Sequence, residues 1–207
     1  MSGVADKIMK RVRGHGKGNW VCAPTDFLDF GSRAAVDQAF SRLVRSGKLR
    51  RLGRGLYDLP RSSAVLKRLA PANLDLVIDA IARRDRIRIV PGGIAAANML
   101  GLTTAVPAKA DYLTDGAART VKIGRRTIRL RRANPSVMNW SGGPAATVAQ
   151  ALRWLGPRAA RDPRVIAGLR QRLPDDVKKA LAKDVRYLPS WAVAIVSDIV
   201  GQRDMTA

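Results

Sequence analysis

Few of the 207 residues are of a type that does covalent or metal chemistry. There is one histidine, His15, in the loop GHGKGN, and one cysteine, Cys22. All sixteen acidic residues are aspartates. A chain without Glu has no glutamate base, no Glu-containing zinc motif and no Glu-terminated calcium loop. A single His with no second His and no Cys pair has nothing to complete a metal site, so His15 reads as a surface-loop residue. No catalytic residue, metal ligand or cofactor is assigned, and the chain is expected not to be an enzyme.

Two candidate constellations are set aside on spacing. Gly31-Ser32 near aspartates could open a nucleotidyltransferase metal motif, but that motif needs Asp-x-Asp about ten residues on. The only acid between Ser32 and Asp58 is Asp37. Asp85, Asp111 and Asp115 are three of the five carboxylates of the most basic stretch, residues 61–133, and they form no recognised metal spacing. They keep one alternative open, a nucleic-acid-modifying enzyme delivered by its N-terminal domain.

What the side chains do offer is cationic binding. Lys and Arg number 38 against the sixteen acids, a net charge of +22 and an isoelectric point near 11.6. A field of that size draws polyanions, of which nucleic acid is the commonest inside a cell. Residues 1–60 carry twelve basic and five acidic residues, and residues 61–133 carry fifteen and five. There is no 18-residue apolar run and no basic amphipathic helix with a bulky apolar face, so no membrane partner is expected. A single cysteine rules out a disulfide framework within one chain, and MSGVADKIMKRVRG is too polar for a secretory signal. The expected location is the cytoplasm.

The elements that would position these cations follow from pattern. Val4, Ile8, Met9 and Val12 make one apolar stripe on a helix over residues 3–13, ended by Gly14. Trp20-Val21-Cys22 reads as a short extended piece. Thr25 stands as N-cap of a short second helix, which Gly31 breaks. Ser32 caps a third, Arg33 to about Ser46, with Val36, Ala39, Phe40 and Leu43 on one face. Leu49–Leu52 and Leu56–Leu59, joined at Gly53-Arg54-Gly55, read as a hairpin closed by Pro60. That order is the order of a winged helix-turn-helix. Docked as such modules dock, Ser32, Arg33, Asp37, Gln38, Ser41 and Arg42 read base edges in the major groove. Lys48, Arg50, Arg51 and Arg54 on the hairpin contact phosphates. The bland alternative is a three-helix domain with a solvated polar face.

On these residues the chain resembles a known family. WVCAPTDFLDFGSRAAVDQAFSRLVRSGKLRRLGRGLYDLP is similar to the N-terminal domain of the AbiEi-type antitoxins of bacterial abortive-infection systems. The match is best over residues 18–60, at Gly31-Ser32, the Val36/Phe40/Leu43 face and Arg51 to Tyr57. The remainder matches more loosely, as a basic second domain. The resemblance implies a type IV toxin–antitoxin protein or a solitary relative. Its winged helix would repress its own operon, and its second domain would contribute to DNA binding and antitoxicity. The toxin would be a nucleotidyltransferase not held in a stable complex.

Beyond Pro60, Leu74, Val77, Ile78 and Ile81 mark a helix, and Ile87–Val90 a strand. Pro91-Gly92-Gly93 opens another helix, either as a plain strand-to-helix turn or as a weak anion seat. Lys109–Leu113, Thr120–Ile123 and Thr127–Arg131 read as strands. Lys122, Arg125, Arg126, Arg129, Arg131 and Arg132 then form a basic hairpin without an intervening acid, either a solvated sheet face or a second nucleic-acid surface. Residues 134–207 read as helices, from Pro144, from Asp162-Pro163, from Asp175 or Asp176, and over Ser190–Val200. The last is apolar enough for the core or for a dimer contact.

The expectation is an α+β chain in two domains: residues 1–60 a winged helix-turn-helix, residues 61–207 a basic domain with a small antiparallel sheet and several helices. Its partner would be double-stranded DNA, an operator with inverted repeats, bound by a monomer or weak dimer acting as antitoxin and autorepressor. A non-specific architectural DNA- or RNA-binding protein is the other alternative.

Overall fold

The apolar stripe read along the first helix is the stripe that is buried. In the computed structural model, which describes residues 3–63, 68–105, 110–140 and 142–201, Ile8 and Val12 are almost wholly enclosed. They lie on α1 (Val4–Gly14), and a core forms where Phe27, Val36, Phe40 and Leu43 meet them. The chain is α+β throughout, and its contacts group it into two compact units. The first takes in the described residues up to Ile87 together with Lys122–Arg126, and the second takes in the rest.

In the first unit α1 is followed by β1 (Val21–Cys22), a 3₁₀ segment (Pro24–Phe30), α2 (Arg33–Arg45), β2 (Arg50–Gly53) and β3 (Leu56–Asp58). The short helix expected after a Thr25 cap is this 3₁₀ segment, kinked at Phe27. Ala23 precedes it and Pro24 opens it, because proline's fixed φ and missing N–H suit a first helical position. Asp26, not Thr25, satisfies the free amide there, accepting from Ala23 N at 2.9 Å. Ser32 does cap α2, its Oγ accepting from Ala35 N at 3.3 Å.

β1, β3 and β2 form an antiparallel sheet in that order, with Arg50 opposite Asp58 and Arg51 opposite Tyr57. The β2–β3 turn is Arg54-Gly55, and Gly55 takes a φ of +65°, which side chains disfavour. Gly53 is a glycine for another reason: a Cβ there would stand 2.8 Å from the Lys122 carbonyl oxygen. The Gly124 amide donates to Leu52 O in the same place.

A two-stranded ladder, β4 (Ser62–Ser63) with β5 (Arg68–Leu69), was not expected from the sequence. After it comes α3 (Leu74–Asp85), capped by Asn73. Arg83 ties α3 to β1 by donating to Val21 O at 2.8 Å. For this reason the first unit runs to Ile87, past the 60/61 division that composition implied.

The second unit contains β6 (Ile89–Pro91), α4 (Gly93–Met99), β7 (Ala110–Thr114), most of β8 (Arg119–Ile123) and β9 (Arg126–Arg132), then α5 (Pro135–Met138), α6 (Ala146–Ala160), α7 (Pro163–Arg172), α8 (Asp175–Lys183), a 3₁₀ turn (Val185–Tyr187) and α9 (Ala192–Val200). The sheet order is β6-β7-β9-β8. It is mixed where an antiparallel sheet was expected: β6 and β7 run antiparallel, but β7 pairs parallel with β9, Ala110 facing Ile128. A parallel pair results because β8 lies outside β9, to which the two-residue turn Gly124-Arg125 joins it. Lys109, placed in β7 by the sequence, lies outside the described residues.

Leu152, Leu169, Leu181 and Ile195 belong to the core of this unit. α9 is therefore a core element, with Ile195, Val196 and Ile199 buried in the fold. Asp162 caps α7 as expected, accepting from Arg164 N at 2.8 Å.

Candidate nucleic-acid interface

α2 has two faces of opposite character. Val36, Ala39, Phe40 and Leu43 are buried, while Ser32, Arg33, Gln38, Ser41 and Arg42 are exposed and Asp37 is half-exposed. The helical period imposes this split, since positions three and four apart share a face. A shallow concavity of about 420 Å³ runs along the outer face between Asp37, Gln38, Ser41, Arg42 and Arg45. Arg45, one turn beyond Ser41 and not among the expected readers, is exposed on the same face.

Within that face Arg33 Nε donates to Asp37 Oδ2 at 2.9 Å, and Ser41 Oγ donates back to Asp37 O at 3.0 Å. Ser41 is thereby turned partly toward its own backbone. Ser32 is occupied as the N-cap.

The four hairpin cations separate into two kinds. Lys48, Arg51 and Arg54 are exposed, and Arg51 makes a long contact of 3.4 Å to Gly53 O. Arg50 is not available in the way they are. Its Nε and Nη2 donate to the two oxygens of Asp58 at 2.9 and 2.5 Å, and its Nη1 donates to Ala70 O at 2.7 Å. Asp58 is buried, so Arg50 neutralises a carboxylate inside the unit. The sequence could not pair them, because the two residues meet only through the register of β2 and β3.

The six cations of the second basic group divide between the units. Lys122, Arg125 and Arg126 belong to the first, where all three are exposed. Arg129, Arg131 and Arg132 belong to the second, on β9. There Ile128 and Leu130 point inward, and Thr127, Arg129 and Arg131 point outward, as alternation requires. An acid does intervene. Asp111 on β7 stands opposite Arg129, and its Oδ2 accepts from Arg131 Nε at 2.9 Å.

The aspartates considered for catalysis are each ion-paired: Asp85 with Arg84 at 2.8 Å, Asp115 with Arg88 at 2.7 Å, and Asp111 with Arg131. The Arg88 hydrogen bond holds the Asp115 carboxyl below the usual carboxylate range. Cys22 is fully buried, and burial pushes its thiol well above the ordinary range, away from the reactive thiolate. His15 stacks on Trp20 with ring centroids 4.1 Å apart. Among the described residues no three His, Cys or Asp side chains group to hold a metal, and no helix is long and apolar enough to cross a membrane.

No curated protein matches the chain. Among solved structures it is similar to the crystal structure of the RV2827C protein from Mycobacterium tuberculosis, with a TM-score of 0.42 and 16% identity over 97% of this chain and 81% of that one. The model of a family of unknown function, DUF6088, matches residues 7–182, and the chain belongs to that family.

Proposed function

We propose that residues 1–60 act as a winged helix-turn-helix and that the protein is a sequence-specific, non-enzymatic DNA-binding regulator. The observation that carries this reading is the outer face of α2, where Gln38, Ser41, Arg42 and Arg45 line a shallow groove with Asp37, and Arg33 stands exposed one turn before them, paired to Asp37. Arginine and glutamine are the side chains that pair two-pronged with guanine and adenine edges. Lys48, Arg51 and Arg54, exposed at the following hairpin, supply contacts to phosphates. Arg50 does not join this exposed set, because Asp58 and Ala70 O fix it in place and take three of its five N–H groups.

The resemblance of residues 18–60 to AbiEi-type antitoxins extends the proposal. The regulator represses its own operon from inverted repeats in the cytoplasm, as a monomer or weak dimer. It counters a nucleotidyltransferase toxin with which it forms no stable complex.

The test is a binding comparison at fixed salt between duplex from the gene's own upstream region and random duplex of equal length. At least a thousandfold preference for the former is expected, the low end of specific recognition. Equal affinity for the two would overturn the regulator reading.

A further inference from the structure

A second cationic feature of the first unit lies away from the groove along α2. A cavity of about 610 Å³ opens between the start of α3 and the sheet, a volume within the range of small-ligand sites, roughly 300–1,000 Å³. Three arginines line it, Arg50, Arg61 and Arg126, with a single acid, Asp58.

That acid is already engaged. Both Asp58 oxygens accept from Arg50, so its charge is neutralised by one of the three cations and two remain. Arg50 is the fixed member. Three of its five N–H groups are used, by Asp58 and by Ala70 O, and two are left over on a guanidinium that is not free to turn away. Arg61 is exposed but its stem is seated, because Gly18 has no side chain. A Cβ at Gly18 would lie 3.2 Å from Arg61 Cβ. Arg126 is exposed and also lines the cavity. Pro71 and Leu76 add apolar wall, and Asn19 adds an amide.

We infer that this cavity binds a phosphoryl group, held by Arg50, Arg61 and Arg126. Guanidinium forks match the oxygens of a phosphate in geometry and charge, and a pre-oriented arginine loses little entropy on binding. The phosphate has two possible sources. One is a free phosphorylated small molecule such as a nucleotide, whose ring would lie on Pro71 and Leu76. The other is a backbone phosphate of bound DNA, and only that source rests on the regulator reading.

The experiment uses the full chain and two charge-matched double variants. Arg61→Gln/Arg126→Gln removes the two exposed cations and spares Arg50, whose loss would strand Asp58. Arg158→Gln/Arg164→Gln removes two exposed cations of the second unit as a control. Inorganic phosphate and AMP are titrated by calorimetry, and a 20-base-pair duplex by anisotropy over a salt series. If the source is free, phosphate or AMP binding weakens at least tenfold in the cavity variant and is unchanged in the control. If the source is DNA, phosphate and AMP do not saturate the wild type. Duplex affinity then falls at least tenfold further in the cavity variant than in the control, with a salt slope shallower by about two. A cavity variant indistinguishable from the control with all three probes overturns the inference. A wild type that binds no duplex yet loses AMP in the cavity variant keeps the inference and ends the regulator reading; a wild type that prefers its own upstream duplex while the cavity variant matches the control with every probe does the opposite.

Discussion

Arg33 Nε and Asp37 Oδ2 lie 2.9 Å apart, one turn along the exposed face of α2. Both side chains are about half exposed, so the pair adds little to stability. Its consequence is orientation. With Nε held by the carboxylate, the two Nη groups project as a fork, the arrangement that grips guanine O6 and N7. Arg33→Ala is expected to cost about 1–3 kcal/mol on the preferred duplex and to relax preference at one base position. Under the regulator reading, Asp37→Ala is expected to relax the same position while tightening binding to random duplex, since an anion would leave a polyanion interface. Competition against single-base-substituted duplexes reads both effects. Loss of affinity for every duplex alike in Arg33→Ala would remove it from base reading.

The hairpin supplies a contrast between two arginines four residues apart. Arg54 contacts its neighbour Arg84 only through its main-chain oxygen, so truncating its exposed side chain should leave stability within about 0.5 kcal/mol. Under the regulator reading Arg54→Ala weakens all duplexes equally and lowers the salt slope by about one. Arg50→Ala instead leaves Asp58, only 2% exposed at its side chain, buried without its cation. A loss of about 3–5 kcal/mol is expected, read as a lower denaturation midpoint. If Arg50→Ala unfolds no more easily than Arg54→Ala, the buried pair has been misread.

These two arginines mark the boundary of what is legible in the sequence. Local signals were legible: the α1 stripe, the Ser32 and Asp162 caps, and the alternation of Ile128 and Leu130 with Arg129 and Arg131. Each depends on residues within one helical turn or one strand. What stayed hidden was set by pairing across the chain. Arg50 reads as one more wing cation until β2 and β3 come into register with Asp58 opposite it. Arg131 reads as unopposed until the parallel pairing of β7 with β9 sets Asp111 beside it. The first compact unit runs past residue 60 for the same reason, because Arg83 bonds to Val21 across 62 residues. The groove along α2 was legible because one helix builds it, and the cavity lined by Arg50, Arg61 and Arg126 was not, because three separate segments do.

Close packing in the second unit gives a steric prediction. Gly93 opens α4, and a Cβ there would overlap the Trp154 side chain of α6 and stand 3.2 Å from Gln150 O. Its φ lies outside the left-handed region, so the cost of a side chain is crowding alone. Gly93→Ala is expected to destabilise by about 1–3 kcal/mol. Gly14→Ala at the end of α1, with open space around the added methyl, is the comparison and should be neutral or stabilising. Equal denaturation midpoints for the two variants would contradict the α4–α6 contact.

The pH response of the second unit follows from Arg88 and Asp115. Asp115 Oδ1 accepts from Arg88 N at 2.8 Å and Oδ2 from Arg88 Nε at 2.7 Å. The side-chain hydrogen bond is the main cause that holds the carboxyl below its usual range, with the guanidinium charge adding to it. A carboxyl with a depressed folded pKa contributes stability above its unfolded value, about 3.9, and loses it as the pH falls through the folded value. Both groups are a third or more exposed, which keeps the contribution modest. Asp115→Asn retains an acceptor for the Arg88 amide but removes the charge and the acceptor for Arg88 Nε. Melting temperatures of the wild type and this variant should differ most at neutral pH, the wild type higher, and converge as the pH falls below the ordinary carboxylate range through the depressed folded value. A difference that widens in acid would mean that Asp115 is protonated in the native state, and the ion pair with Arg88 would have to be abandoned.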